Sequence, residues 1–144
     1  MNDLFLNYEL SLELKNLGFD EKCMASYYTY DVENFKKDKF DYRGKFNFEF
    51  SNNLDDYIIN TDKTYYIACP LKYQVFKWFR EVHNMYGEIY ILCGEWRIQI
   101  ACLNKEDLGS YYTGYKDVEY NTFEEAELEV IKQMVNIVKD GKNI

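Results

Sequence analysis

The sequence predicts an α+β domain on a mainly antiparallel sheet, and three observations carry that expectation. A helix-period run opens at Pro70, two strand-period runs follow around Gly94, and a second helix-period run behind a capping motif closes the chain. Two long helices, over 70–86 and 122–139, should pack on one face of the sheet, with a short helix at the N-terminus. At 144 residues and 47% hydrophobic, the chain suffices for a single domain, 1–144, that buries its own core without metal or disulfide.

In chain order, Leu6, Leu10, Leu14 and Leu17 recur at helical spacing. Asn2 or Asp3 can cap the start and Gly18 can stop the helix, so a short amphipathic helix is expected over about 3–17. The leucine stripe lasts barely two heptads, too few for a coiled coil. Cys23 to Val32 is Tyr-rich without helix spacing and reads as a strand with aromatic rings on both faces. Asn34 to Gly44 mixes Lys36, Lys37, Lys39 and Arg43 with Asp38 and Asp41 and reads as a solvated loop. Phe46, Phe48 and Phe50 alternate with Asn47, Glu49 and Ser51, the period of a half-buried strand. Tyr57 to Asn60 and Tyr65 to Ala68 flank Thr61-Asp62-Lys63 as a second hairpin.

Pro70 suits a first helical position, where its missing N–H costs nothing. Leu71, Val75, Trp78, Phe79, Val82, Met85 and Tyr86 then share one side of a helical wheel, and Gly87 reads as the stop. A two-residue turn at Gly94-Glu95 would set Cys93 opposite Trp96, Ile91 opposite Ile98 and Ile89 opposite Ile100, gathering all six on one face. Tyr111 to Tyr120 supplies a third strand. Thr122-Phe123-Glu124-Glu125 is a capping box, and Ala126, Val130, Ile131, Met134, Ile137 and Val138 form the apolar side of the helix it opens.

Charge and composition narrow the function. A net charge of −8 argues against a phosphate-binding face, since nucleic-acid affinity comes largely from Lys and Arg displacing counterions. The acidity is spread along the chain, as in a solubilising surface or a mimic of nucleic acid. The four cysteines, Cys23, Cys69, Cys93 and Cys102, include no close pair of the kind that zinc or redox motifs need. With no secretory signal and no apolar run of membrane length, free buried thiols in a reducing cytoplasm are expected. Neither cofactor nor metal is expected.

Two titratable residues stand out. His83 is the only histidine, on the flank of the Pro70 helix one turn from Phe79, where packing is its ordinary role and acid–base work the alternative. Glu127 falls inside the apolar arc of the closing helix near Val130 and Met134; a buried carboxylate there would be a functional candidate, and a solvated one merely favoured by the helix dipole. Gly109 and Gly114 flank Ser110 to Thr113, but no helix follows directly to present amides to a phosphate. The remaining feature is the tyrosines, 15 in all. Tyr27, Tyr28, Tyr30, Tyr111, Tyr112 and Tyr115 exceed what one buried sheet face needs, and Tyr suits recognition because it gives large contact area with little rotamer entropy lost.

Three blocks carry a resemblance: Leu17-Gly18-Phe19-Asp20-Glu21, Cys69-Pro70 through Trp78-Phe79-Arg80-Glu81 with His83, and Thr122-Phe123-Glu124-Glu125-Ala126-Glu127. In that order they resemble a family of small uncharacterised proteins encoded by Bacteroides-type gut bacteria and their phages or prophages. Where that family tends to show Glu-Pro-Cys and Pro-x-x-Gln-Gln, this chain has Glu21-Lys22-Cys23 and Pro70-Leu71-Lys72-Tyr73-Gln74. The resemblance implies a phage or mobile-element accessory and no particular reaction. The helix–three-strand–helix order also matches double-stranded-RNA-binding domains, but Glu124, Glu125 and Glu127 stand where those domains carry cations. The reading is therefore a non-catalytic accessory protein that binds a host or phage protein, or a second copy of itself, through its tyrosines. A small-ligand-sequestering protein and a nucleic-acid mimic are the alternatives.

Overall fold

A computed structural model of the chain describes residues 2–29, 39–42, 57–59, 62–103, 110–113 and 118–141. These form an α+β structure with three α-helices and two small antiparallel sheets. The chain divides into two compact units, Met1–Gln74 and Val75–Ile144, with the boundary inside a helix.

In the first unit, a short 3-10 turn (Asn2–Leu4) precedes α1 (Tyr8–Asn16). The helix starts later than its leucine spacing suggests because Asn7, not Asn2 or Asp3, is the cap. The Asn7 Oδ1 accepts the Leu10 N–H at 2.9 Å. Leu6, ahead of the cap, is buried and pinned by its own N–H donating to the Pro70 carbonyl at 2.9 Å. The far end closes as expected at Gly18, which adopts φ +93. Gly18 N–H donates to Lys15 O and Phe19 N–H to Leu14 O, a Schellman motif with Leu14 and Phe19 both buried.

Strands β1 (Ala25–Thr29), β2 (Lys39–Tyr42), β3 (Tyr57–Ile59) and β4 (Asp62–Cys69) make a sheet of order β2-β1-β4-β3. The β3–β4 hairpin is where the flanking tyrosines predicted it, with Ile59 opposite Asp62, so Asp62 opens the strand instead of sitting in the turn. β2 corrects the expected loop over 34–44. Lys39–Tyr42 pairs antiparallel with β1, with Tyr27 opposite Phe40, because period-two alternation survives within a charged stretch. The strand expected at Phe46, Phe48 and Phe50 lies outside the described residues. Helix α1 lies against β4, and Leu6, Leu14, Ile67 and Cys69 are among the buried residues between the elements.

Helix α2 (Lys72–His83) is shorter than the expected 70–86 at both ends. Pro70 precedes it, and Leu71 pairs in a β-bridge with Phe5. Gln74 carries the start: its Oε1 accepts the Leu71 N–H at 3.0 Å while its Nε2 donates to the Lys22 carbonyl at 2.8 Å. The helix ends at His83 because Asn84 takes φ +50 and turns the chain straight into a strand.

In the second unit, β5 (Met85–Leu92), β6 (Glu95–Leu103) and β7 (Ser110–Thr113) form a sheet of order β5-β6-β7. Gly87 is no stop. It lies within β5, where a Cβ would come within 2.9 Å of Val130 Cγ2 and 3.0 Å of Phe76 Cε1. The β5–β6 hairpin turns at Cys93-Gly94, not Gly94-Glu95, with φ +54 and +84. Both central residues sit at positive φ, as a type I′ turn demands, and Gly takes the second position. The register becomes Ile91 opposite Trp96, Ile89 opposite Ile98 and Gly87 opposite Ile100. Each partner moves by two residues, so Ile89, Ile91, Trp96, Ile98 and Ile100 keep a common face while Cys93 passes into the turn. Ile98 and Ile100 are buried, but burial fades toward the turn and Ile91 is 59% exposed.

Helix α3 (Phe123–Lys139) starts where the capping motif put it. Thr122 Oγ1 accepts the Glu125 N–H, and Glu125 Oε2 reaches back to the Asn121 N–H, both at 3.1 Å. Ala126, Val130, Ile131, Met134 and Val135 are its buried side chains against β5 and β6.

Candidate interaction surface

Sequence reasoning offered two kinds of site, a tyrosine surface and two titratable groups, and the fold treats them differently. Tyr27, on β1, is half-buried. Its ring meets Tyr8 edge-on at 5.8 Å, and its hydroxyl donates to the Leu6 carbonyl at 2.9 Å. The Cys69 thiol donates to the same carbonyl at 3.1 Å. Burial, and secondarily the neighbouring Cys69, raises the Tyr27 phenol further above its already high range. Burial likewise pushes the Cys69 and Cys23 thiols up to about 12, so both stay protonated at neutral pH and are poor nucleophiles. This corner is a structural network that fixes the N-terminal segment on the sheet.

Of the other tyrosines, Tyr28 lies on β1 in register with Lys39 and Tyr66, and Tyr111 and Tyr112 lie on β7 in register with Cys102 and Ala101. Tyr30 and Tyr115 lie outside the described residues.

His83 ends α2 with its ring 4.7 Å from that of Trp78 and 5.8 Å from that of Phe79. Its Nε2 is buried with no hydrogen-bond partner among the described residues, and burial lowers its pKa below the usual imidazole value. A neutral ring against two aromatics is a packing role. Glu127 is half-buried on α3, one turn before Ile131. Among the described residues no group of three or more His, Cys, Asp or Glu side chains is placed to hold a metal, and no helix is long and apolar enough to cross a membrane.

The surface that sequence reading missed lies on the β5–β6 hairpin. Beside Ile91, Leu92 is 44% exposed, Leu103 42% and Tyr86 36%. The pleat sets Tyr86, Glu88, Tyr90 and Leu92 on one face with Glu95, Arg97, Gln99, Ala101 and Leu103. Tyr86 was assigned to the buried stripe of the Pro70 helix, and only the positive φ at Asn84, invisible to periodicity, moves it into a strand and turns it outward. Ile91 was assigned to the core by its alternation alone.

At the turn end of this sheet Arg97 ties two segments together. Its Nη2 lies 3.0 Å from Glu119 Oε1 and 3.6 Å from Glu95 Oε2. The two carboxyls are close enough that a hydrogen bond between them raises the Glu95 pKa, against the pull of Arg97. Trp96 adds a backbone bridge to Tyr120 and an edge-on ring contact to Phe123 at 5.4 Å, so the start of α3 is fastened to β6.

No protein-family profile, curated protein or solved structure matches this chain.

Proposed function

We propose that the chain is a non-catalytic phage or mobile-element accessory protein that works by protein–protein interaction, through the outer face of the β5–β6–β7 sheet. The observation that carries this reading is the set of exposed apolar side chains Tyr86, Leu92 and Leu103 on one face of a short sheet. Apolar and aromatic groups left in water at a strand surface are what protein partners cover. In backbone register, Tyr112 falls on the same rung as Ala101 and Tyr86. It also takes the two long helices as covering the opposite, Ile98/Ile100 face. The surrounding chemistry fits a binder: the His83 ring is packed on Trp78 and Phe79, and the Cys23 and Cys69 thiols are held protonated by burial.

The test is affinity capture by the tagged full chain from a gut-bacterial host lysate, with mass spectrometry of both proteins and small molecules. A specific protein partner should be recovered by the wild type and lost by the double variant Tyr86→Ser, Leu103→Ser, whose thermal melt should stay cooperative because both side chains are partly exposed at the sheet surface. Equal recovery by both proteins would place recognition elsewhere. Recovery of a small molecule in place of a protein would favour the sequestering alternative.

A further inference from the structure

We propose that β5 is a self-pairing edge: two copies of this chain join β5 to β5, antiparallel about a two-fold axis through Ile89, making one continuous six-stranded sheet. Among the described strands β5 is the outermost of its sheet, and it is eight residues long. Open edges are normally guarded by Lys, Pro, a bulge or shortness, because their free N–H and C=O groups template pairing with another chain. Met85–Leu92 has no Lys, Arg or Pro, pairs with β6 in unbroken register, and leaves Tyr86, Ile91 and Leu92 exposed.

The hydrogen-bond phase of the edge follows from its inner side. Leu103 N–H donates to Asn84 O, so Asn84–Leu103 is a hydrogen-bonded pair. By alternation Tyr86, Glu88, Tyr90 and Leu92 also point their backbone groups inward at β6. Met85, Gly87, Ile89 and Ile91 therefore point theirs outward. A two-fold through Ile89 pairs Ile89 with Ile89 of the second copy and Gly87 with its Ile91. These outward groups would form about six intermolecular hydrogen bonds.

Side chains and charge select the same register. Tyr86 falls opposite Leu92 of the second copy, so two exposed apolar groups cover each other. The exposed Ile91 falls beside a glycine, where no side chain competes for the space. Glu88 falls opposite Tyr90, whereas a two-fold through Glu88 would set two carboxylates face to face. The occupant is thus a second copy, because this edge is complementary to itself in hydrogen-bond phase, bulk and charge. The net charge of −8 on each chain opposes association at long range, so added salt should strengthen the dimer.

Self-pairing uses the same sheet as the partner surface above but stands apart from it. A monomer that still captures its host protein would end this proposal and leave that reading intact. Sedimentation of the full chain from micromolar to millimolar concentration should show a monomer–dimer equilibrium that tightens with salt. Ile91→Lys should abolish it, and Val82→Lys, at an exposed position on α2, should leave it unchanged. The register is read by dipolar EPR on the chain's exposed thiol. Cys93 would lie opposite Met85 of the second copy, so the two Cys93 Cα atoms should be about 27 Å apart at about 3.4 Å per residue. A chain that stays monomeric at every concentration, a dimer indifferent to Ile91→Lys, one broken by Val82→Lys, or a label separation near 20 Å, as a two-fold through Tyr90 gives, would each overturn the proposal.

Discussion

Cys93 occupies a backbone position that its side chain disfavours. At φ +54 its Cβ crowds the following carbonyl, which costs an L-residue about 1–2 kcal/mol, less for Asn because its short amide bonds locally. Cys93→Asn creates the Asn-Gly pair that type I′ turns prefer. The variant should be more stable by roughly 0.5–1 kcal/mol in chemical denaturation, and Cys93→Val, which adds a branch at the strained Cβ, should be less stable than wild type. A loss of stability in Cys93→Asn would mean the turn is not of this type. His83 gives the second residue-scale expectation. Its folded pKa is lowered by burial, so the folded state favours the neutral ring. The stability this contributes is present above the unfolded imidazole pKa of about 6.5 and is lost as pH falls below it, when the unfolded chain takes up the proton more readily. The melting temperature should therefore drop between pH 7.5 and 5.5, and His83→Gln, which does not titrate, should drop by less. Equal losses in the two proteins would assign the acid sensitivity to carboxylates.

At the scale of elements, what the sequence made legible was periodicity, and what it hid was backbone sign. The capping box at Thr122 and the stop at Gly18 depend on local hydrogen bonds between near neighbours, and both are where their residues indicate. The end of α2 depends on Asn84 adopting φ +50, which nothing in the apolar pattern announces, so the helix was carried three residues too far. Gly87 was misread for the same reason: a glycine after a helical run resembles a stop, whereas here its lack of a Cβ is a packing requirement. Adding a methyl at Gly87 would press on Val130 Cγ2 at 2.9 Å, Phe76 Cε1 at 3.0 Å and Met134 Cε at 3.2 Å. Met134 can swing aside, but Val130 is branched, fully buried and held in a helical rotamer. Gly87→Ala should cost about 1–3 kcal/mol by overpacking. Val130→Ala should cost a similar amount by cavity formation, and the double variant should recover part of the loss. Strict additivity in that cycle would show that the two positions do not touch.

For the whole molecule, composition indicated the class of structure and left the site unread. The spread acidity and scattered cysteines pointed away from phosphate binding and toward ordinary thiols, and burial of Cys23, Cys69 and Cys102 agrees with the second point. The exposed hairpin could not be read, because whether Ile91 is covered depends on how far α3 reaches along the strands, a distance no local pattern encodes. Those same thiols report how the chain unfolds. Cys93 is exposed, Cys69 is buried in the unit Met1–Gln74, and Cys102 is buried in the unit Val75–Ile144. Helix α2 contains the boundary: Gln74 fastens its first turn to the Lys22 carbonyl, and Val75, Trp78 and Phe79 along the rest of it are buried. Because a helix nucleates at high cost and then propagates cooperatively, losing either end removes support from the other. Alkylation in increasing urea, read peptide by peptide, should modify Cys93 before the transition, then Cys69 and Cys102 at one shared midpoint. Two separated midpoints would show that α2 can break at the boundary and that the units unfold independently. In that case Gln74→Ala, which removes the hydrogen bond to Lys22, should lower the Cys69 midpoint and leave that of Cys102 where it was.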